Sequence, residues 1–412
     1  MPALQPIFIK AYWTLAAIGI LWAMFISSLV NPTLQRHALY AHKIHSGFWH
    51  NVTNPEEFGF AKGQVQPFWL DTSDGEKLFC WHVLPLDVYL EHENELVQAA
   101  SPGEVADDLE RTVGARLLNR DVESRIVVNF HGNAGHVAQG HRPSTYRSIS
   151  GIPHTHLLTC DYRGFGLSTL TNPPHIPTET GIITDAISLL AYVQSTLNHP
   201  STRTVLLGQS LGTAVTAASA LYFADPTSAA LPSDLVTPTS NTEAHSGFAS
   251  IILVAPFRSL PTLLKTYKIW GIFPILKPLG GYPRIANFLI SKIVDTWPTE
   301  VRLIALLGTT AAANTPLHIH LIHARNDGDI TFRESEALFA PLQRSIHGSE
   351  RVKRGAFAYK KVEDAKESRT VELEVVRFGG HNEVVGWTQV GLAVRRGFER
   401  VGRRGRVGLD VE

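Results

Sequence analysis

Residues 204–224 read TVLLGQSLGTAVTAASALYFA: a short apolar run, a Gly-x-Ser-x-Gly pentapeptide from Gly208 to Gly212, then an alanine-rich run. The pattern predicts a strand over Thr204 to Gly208, a tight turn carrying Ser210, and a helix from Gly212 to Ala224. A nucleophile on such a turn needs neighbours without bulky β-carbons, and Gly208 and Gly212 meet that need. Taken alone, the pentapeptide is also what an ordinary strand-to-helix turn with a serine looks like. The rest of the chain has to supply the serine's partners.

Working outward, apolar runs at Ile126 to Phe130, His156 to Tyr162, Ser250 to Phe257, Leu317 to Ala324 and Val371 to Phe378 read as strands. Between them lie helical runs, at Thr180 to Leu197 and Thr331 to Leu342, with a last one at Val385 to Arg400. Short apolar strands alternating with helices predict an α/β domain, a mostly parallel sheet with helices on both faces. Upstream, Asp74-Gly75 splits residues 67–85 into a hairpin, and residues 86–123 read as polar and irregular. Residues 225–247 form a Ser/Thr/Pro-rich surface insert, and residues 345–369 a charged, hairpin-like one. Residues 258–310 are apolar but interrupted by five prolines, so they cannot be one straight helix and read as a cap or lid. Their aromatics and lysines suit either packed core or an interfacial surface with an acyl tunnel.

A serine hydroxyl is a poor nucleophile until a base takes its proton, and the base needs an orienting carboxylate. His381 follows the last strand in Gly379-Gly380-His381-Asn382, where two glycines let a loop project the imidazole back over the sheet. Asp327 and Asp329, in HARNDGDI (323–330), both lie just past the strand Leu317 to Ala324. After the strand Ser250 to Phe257 no carboxylate occurs until Asp295, which favours the later slot. The order serine, carboxylate, histidine, each after a separate strand, is that of the α/β-hydrolases. Two backbone donors are needed for the tetrahedral oxyanion, each worth roughly 2.7 to 4 kcal/mol when lost. The amide of Leu211 supplies one, and the loop HGNAGH (131–136) offers Asn133 as the other. That loop is neither G-x-G-x-x-G nor a Walker sequence, so it is not a nucleotide cradle.

Composition excludes other classes. In 412 residues, 37 basic and 37 acidic side chains cancel and 44% are apolar, which excludes a disordered tail and gives no global field for nucleic acid. The arginines from Arg395 to Arg406 read as a solvated or membrane-surface end. Cys80 and Cys160 are too few for a disulfide scaffold, and their spacing leaves pairing open. His318, His320 and His323 share one strand, 318 and 320 on one face, but no carboxylate in that strand completes a ligand set. No metal or cofactor is expected.

Residues 11–30 (AYWTLAAIGILWAMFISSLV) carry no charge, which at about 1.5 Å per residue is long enough for a hydrocarbon layer of roughly 30 Å. The run exceeds the usual centre of a cleaved leader and no Ala-x-Ala follows, so one retained membrane helix is expected, ended by Asn31-Pro32. Flanking charges tie, leaving orientation to the sequon Asn51-Val52-Thr53, a glycosylation candidate at Asn51 that favours a luminal body. The expected division is an anchor over 1–35 and a hydrolase domain over 36–412.

Together HGNAGH (131–136), DYRGFGLS (161–168), GQSLGT (208–213), HARNDGDI (323–330) and GGHNEV (379–384) resemble the membrane-anchored α/β-hydrolases of the monoacylglycerol and lysophospholipid lipase type. That group includes abhydrolase-domain protein 12 and its fungal relatives, and the likeness covers most of residues 60–400. It implies nucleophile Ser210, base His381 and acid Asp327, whose spacing to Ile330 is similar to the family's. It also implies a lipid ester substrate, a single-chain glycerolipid, at the endoplasmic reticulum membrane. The inserts and the cap depart from the family, so a substrate does not carry over. A protein depalmitoylating thioesterase or small-ester esterase is the alternative, and a non-catalytic anchored scaffold the reading from another class.

Overall fold

The computed structural model describes residues 6–44, 49–238, 247–269, 271–346, 348–352, 358–364 and 368–409. Parts of both inserts (239–246, 353–357 and 365–367) and Trp270 of the cap lie outside these residues.

Two helices open the chain, α1 (Pro6–Ser28) and α2 (Pro32–Tyr40). A hairpin of β1 (Val65–Asp71) and β2 (Lys77–Val83) then turns at Asp74-Gly75, Asp71 opposite Lys77. After α3 (Leu86–Glu91), α4 (Glu93–Ala99) and α5 (Val113–Arg120), strands and helices alternate. The first of these are β3 (Arg125–Phe130), α6 (Arg142–Ser150), β4 (Thr155–Cys160), α7 (Glu179–Ala191), β5 (Thr204–Gln209), α8 (Leu211–Ala224) and β6 (Ser250–Val254). Next come α9 (Leu260–Leu263), the two-residue strands β7 (Lys268–Ile269) and β8 (Phe273–Pro274), α10 (Pro283–Ile290) and α11 (Thr299–Ala312). The chain finishes with β9 (Leu317–Ala324), α12 (Arg333–Ser345), β10 (Gly348–Val352), β11 (Ala358–Asp364), β12 (Arg369–Val376) and α13 (Thr388–Leu409).

The main sheet runs β1-β2-β4-β3-β5-β6-β9-β12-β11-β10. Its centre, β4 to β12, is parallel, and antiparallel pairs extend both ends. Every residue of β4, β5, β6 and β9 is buried, which is why these strands carry no Asp, Glu, Lys or Arg and read as largely apolar runs. Alternation still separates two cores: Leu206 joins the cluster under α7, α8, α11 and α12, while Val205 and Leu207 join the one under α6 and α13.

Four expectations need correcting. Residues 86–123 hold three helices where irregular chain was expected; α5 forms because Thr112 caps its Ala115 amide and Ala115, Leu117 and Leu118 are buried. The apolar helix is Pro6–Ser28, five residues earlier than the charge-free run, because Lys10 fits within a helix that is otherwise apolar. Asn31-Pro32 ends it and also starts α2, since the Asn31 side chain accepts from the Thr33 and Leu34 amides. A division at residue 35 would therefore cut a helix. Finally, the stretch expected as cap, 258–310, includes α11, whose Leu303, Leu306 and Leu307 are buried against α8, so residues 299–310 belong with the core.

Cys80 and Cys160 face each other across β2 and β4 and form a disulfide, Cα to Cα 4.0 Å. The pairing was illegible because it depends on which strands become neighbours.

Candidate active site

Each candidate side chain leaves the carboxyl edge of a parallel strand: Asn133 after β3, Ser210 after β5, Asp327 after β9 and His381 after β12. Chains of this topology gather functional groups at that edge. Ser210 is held at φ 51° and ψ −119°, its amide donating to the Val254 carbonyl at 2.9 Å. Such a backbone costs of order 1–3 kcal/mol and needs its surroundings to impose it. A β-carbon on residue 212 would sit 1.9 Å from the Phe130 carbonyl oxygen, and one on residue 208 would sit 2.4 Å from the Gly212 carbonyl oxygen. Only glycine fits at either position.

The structure brings Ser210, His381 and Asp327 together. Ser210 Oγ lies 3.0 Å from His381 Nε2, and His381 Nδ1 lies 2.7 Å from Asp327 Oδ2. An ionised carboxylate only accepts, so Nδ1 carries the imidazole proton and Nε2 accepts from the serine hydroxyl. The Asp329 and Ile330 amides both donate to Asp327 Oδ1 at 2.9 Å. Asp329 thus serves the loop by its backbone, and Asp295, although it lines the same cavity, is bound to Arg36 and Tyr40 and not to His381. Burial works against a charged Asp327, but hydrogen bonds from His323 and His381 outweigh it and hold the carboxyl well below the usual range. Burial likewise opposes an imidazolium at His381, yet the hydrogen bond and charge of Asp327, with Asp329 adding, raise it above the ordinary histidine value.

Several supporting residues gave no local signal in the sequence. His323 Nε2 lies 3.1 Å from Asp327 Oδ2 and 3.0 Å from the Ile330 carbonyl; both only accept, so Nε2 holds the proton and Nδ1 accepts from Ser335 Oγ at 2.6 Å. Asn326 accepts from the Gly380 amide at 2.9 Å, joining the acid loop to the histidine loop. The buried Arg142 guanidinium donates to three carbonyls of the 131–136 loop: Gly132 at 2.6 Å, Ala134 at 2.7 Å and His136 at 2.5 Å. With those carbonyls held outward, the loop keeps one shape beside Ser210. Apart from the short step from His323 to Asp327, these contacts join residues far apart or use carbonyls, and neither leaves a pattern in the chain.

Asn133 and Ala134 line the same cavity as Ser210 and Leu211, a space of about 450 Å³ within the range of about 300–1,000 Å³ typical of ligand sites. Its walls are mostly apolar. Leu211 opens α8, where amides lack intrahelical acceptors and the helix dipole favours negative charge. The Asn133 side chain donates to the Leu39 carbonyl of α2.

Away from this edge, His318 and His320 converge with Glu372 of the neighbouring β12, a carboxylate that a search along one strand could not find. Arg400 and Tyr359 already donate to Glu372, and His318 Nε2 does so at 3.1 Å. The guanidinium occupies the electrostatic place of a cation, so this cluster reads as a structural ion-pair network.

Comparison with known proteins bears on the fold. No protein-family model matches the chain. It is similar to the lysophosphatidylserine lipase ABHD12 of Danio rerio, 24% identical over 200 residues, 48% of this chain and 45% of that one. It is also similar to protein ABHD12B of Homo sapiens, 27% identical over 228 residues, 55% of this chain and 52% of that one. The chain thus spans about half the length of the curated relatives it matches. Among solved structures, an alpha-beta hydrolase from Vibrio vulnificus superposes with a TM-score of 0.54 at 14% identity, covering 89% of this chain and 92% of that one. The fold is that of the α/β-hydrolases.

Proposed function

We propose that the chain is a membrane-anchored serine hydrolase that cleaves carboxylic esters of single-chain glycerolipids, monoacylglycerol or lysophospholipid, through an acyl-enzyme. The observation that carries this reading is the unbroken relay from Ser210 Oγ through His381 to Asp327, at the floor of an apolar cavity. His381 takes the hydroxyl proton as Ser210 attacks the ester carbonyl. The oxyanion is received by the amides of Leu211 and Asn133, and Asp327 stabilises the imidazolium that forms. His381 then protonates the departing alcohol, and water, activated by the same base, releases the fatty acid. A small-ester or thioester substrate would use the same steps, and the apolar cavity favours an acyl chain over a compact ester.

In this reading α1 anchors the protein and is retained. By length and composition it is the one helix among the described residues able to cross a membrane, and a leader sequence meets the same test. Retention is supported by Trp22, whose indole donates to the Ile275 carbonyl of the cap at 3.2 Å, and by Ile26, buried against the body. A luminal body in the endoplasmic reticulum is supported by the Cys80–Cys160 disulfide, since such bonds persist in oxidising compartments, and by the exposed Asn51. A fluorophosphonate probe should label the wild type and not Ser210→Ala; equal labelling of both would remove the mechanism. Hydrolysis of a panel of lipid esters and acyl thioesters by the same preparation then separates the substrate classes.

A further inference from the structure

The cavity above Ser210 has an unusual third wall. The catalytic edge forms its floor and the cap one side, but Phe25 and Ile26 at the end of α1 and Leu29 just after it, with Ala38 and Leu39 of α2, close the other. These segments are fastened to the body at several points, among them Gln35, which accepts from the Val294 amide at 3.1 Å, and Tyr40, which donates to Asp295 at 2.9 Å. Trp22 donates to the Ile275 carbonyl, Arg36 pairs with Asp295 through two hydrogen bonds of 2.9 and 3.0 Å, and Asn133 donates to the Leu39 carbonyl. The last contact ties α2 directly to the loop that borders Ser210.

Depth matters. At 1.5 Å per residue Trp22 lies about 9 Å along the axis before Ser28, so the cap runs beside the final turns of α1, not beyond its end. A helix of 23 residues is about 35 Å long against a hydrocarbon layer of roughly 30 Å, so in the anchored reading its last turn reaches the boundary between acyl chains and headgroups and Trp22 lies several Å inside it. Beside the same cavity, α10 leaves Ile285 and Phe288 half exposed, with the Lys292 ammonium 5.4 Å over the Phe288 ring. Apolar side chains flanked by lysine suit that boundary.

Building on the serine hydrolase reading, we propose that the end of α1 is part of the substrate site: the acyl chain of a membrane lipid ester enters from the bilayer beside α1 and lies against Phe25, Ile26 and Leu29 while its carbonyl meets Ser210. The anchor then does more than hold the enzyme near its substrate. Ile26 and Leu29 set the length of chain accepted, and α2, held by Asp295 and Asn133, fixes the distance from that wall to the nucleophile.

The test uses the full chain in phospholipid nanodiscs, with rates normalised to the sites titrated by a fluorophosphonate. Two substrates are compared, 1-oleoylglycerol and 4-nitrophenyl butyrate. Ile26→Trp and Leu29→Trp should lower the ratio of long-chain to short-chain turnover by about tenfold or more, the scale on which pocket-filling groups discriminate. Exchanging residues 6–28 for an unrelated apolar helix of equal length should lower it similarly although the protein stays in the membrane. An unchanged ratio in all three overturns the proposal. Should these proteins lose probe labelling by misfolding, Ile26→Ala decides, because a recessed wall must move the preferred acyl chain to greater length; an unmoved preference also overturns it. Absence of labelling in the wild type would instead remove the serine hydrolase reading.

Discussion

Gln209 donates from its side-chain amide to the main-chain carbonyl of His381 at 3.1 Å, so the residue before the nucleophile holds the loop that carries the base. Its Oε1 accepts in turn from His141 Nε2 at 3.1 Å; burial pushes His141 down to about 4, leaving it a neutral donor. The register between Ser210 and His381 is thus set by a side chain with no part in proton transfer. Gln209→Leu should lower kcat by about 10², the cost of misplacing reacting groups by roughly 1 Å, with little change in KM. Steady-state kinetics check this, and a pure KM effect would contradict it.

The two acids of the 323–330 loop should separate sharply. Asp327→Asn removes the acceptor that fixes the His381 tautomer and should cost on the order of 10⁴ in kcat. Asp329→Asn leaves that acceptor in place and removes only a charge that helps raise His381. The base works when neutral, so activity falls as pH drops through its raised value. Without the Asp329 charge that acid limb should move to lower pH, with most of kcat kept. A pH profile of kcat/KM for each variant checks both, and the reverse order of severity would reassign the acid.

Arg142 is expected to act on the transition state through the loop it holds. Arg142→Met frees three carbonyls and should reduce kcat by about 10² to 10³, comparable to losing one oxyanion donor. A trifluoromethyl ketone, which forms a tetrahedral adduct with serine, should lose affinity by a similar factor while substrate KM holds. Equal weakening of substrate and analogue would mark a general packing defect.

The Cys80–Cys160 bond closes a sequence separation of 80 residues, and removing it as Cys80→Ala/Cys160→Ala should cost about 2–4 kcal/mol of stability. Denaturant unfolding of wild type with and without reductant, beside the double variant, measures this. If the body is luminal, the same preparation from eukaryotic cells should shift on glycosidase treatment, and Asn51→Gln should abolish the shift.

Much of the site was legible because its constraints are local. Gly208 and Gly212 are demanded by contacts below 2.5 Å, and the strands that present Ser210 and Asp327 are buried along their whole length and largely apolar, while β12, which presents His381, carries Glu372 and Glu374 among its apolar residues. What escaped notice depends on three-dimensional neighbours. Arg142, His323 and Gln209 act through partners that no spacing rule connects, and Glu372 meets His318 only because β9 and β12 pair. The helices at 86–120 are only six to eight residues long, so their period is too brief to read. Helix α2 was hidden by a dipeptide that stops one helix and caps the next.

The order of the sheet also has a practical side. Strand β10 is its outermost member at one end, with four strands between it and β5. At about 4.8 Å per strand, that places it roughly 24 Å from the nucleophile's strand. A fluorescent reporter or affinity label grafted next to β10 would sit far from the hydrolytic centre, whereas one fused at the amino terminus would be carried by the helix whose last turn walls the cavity.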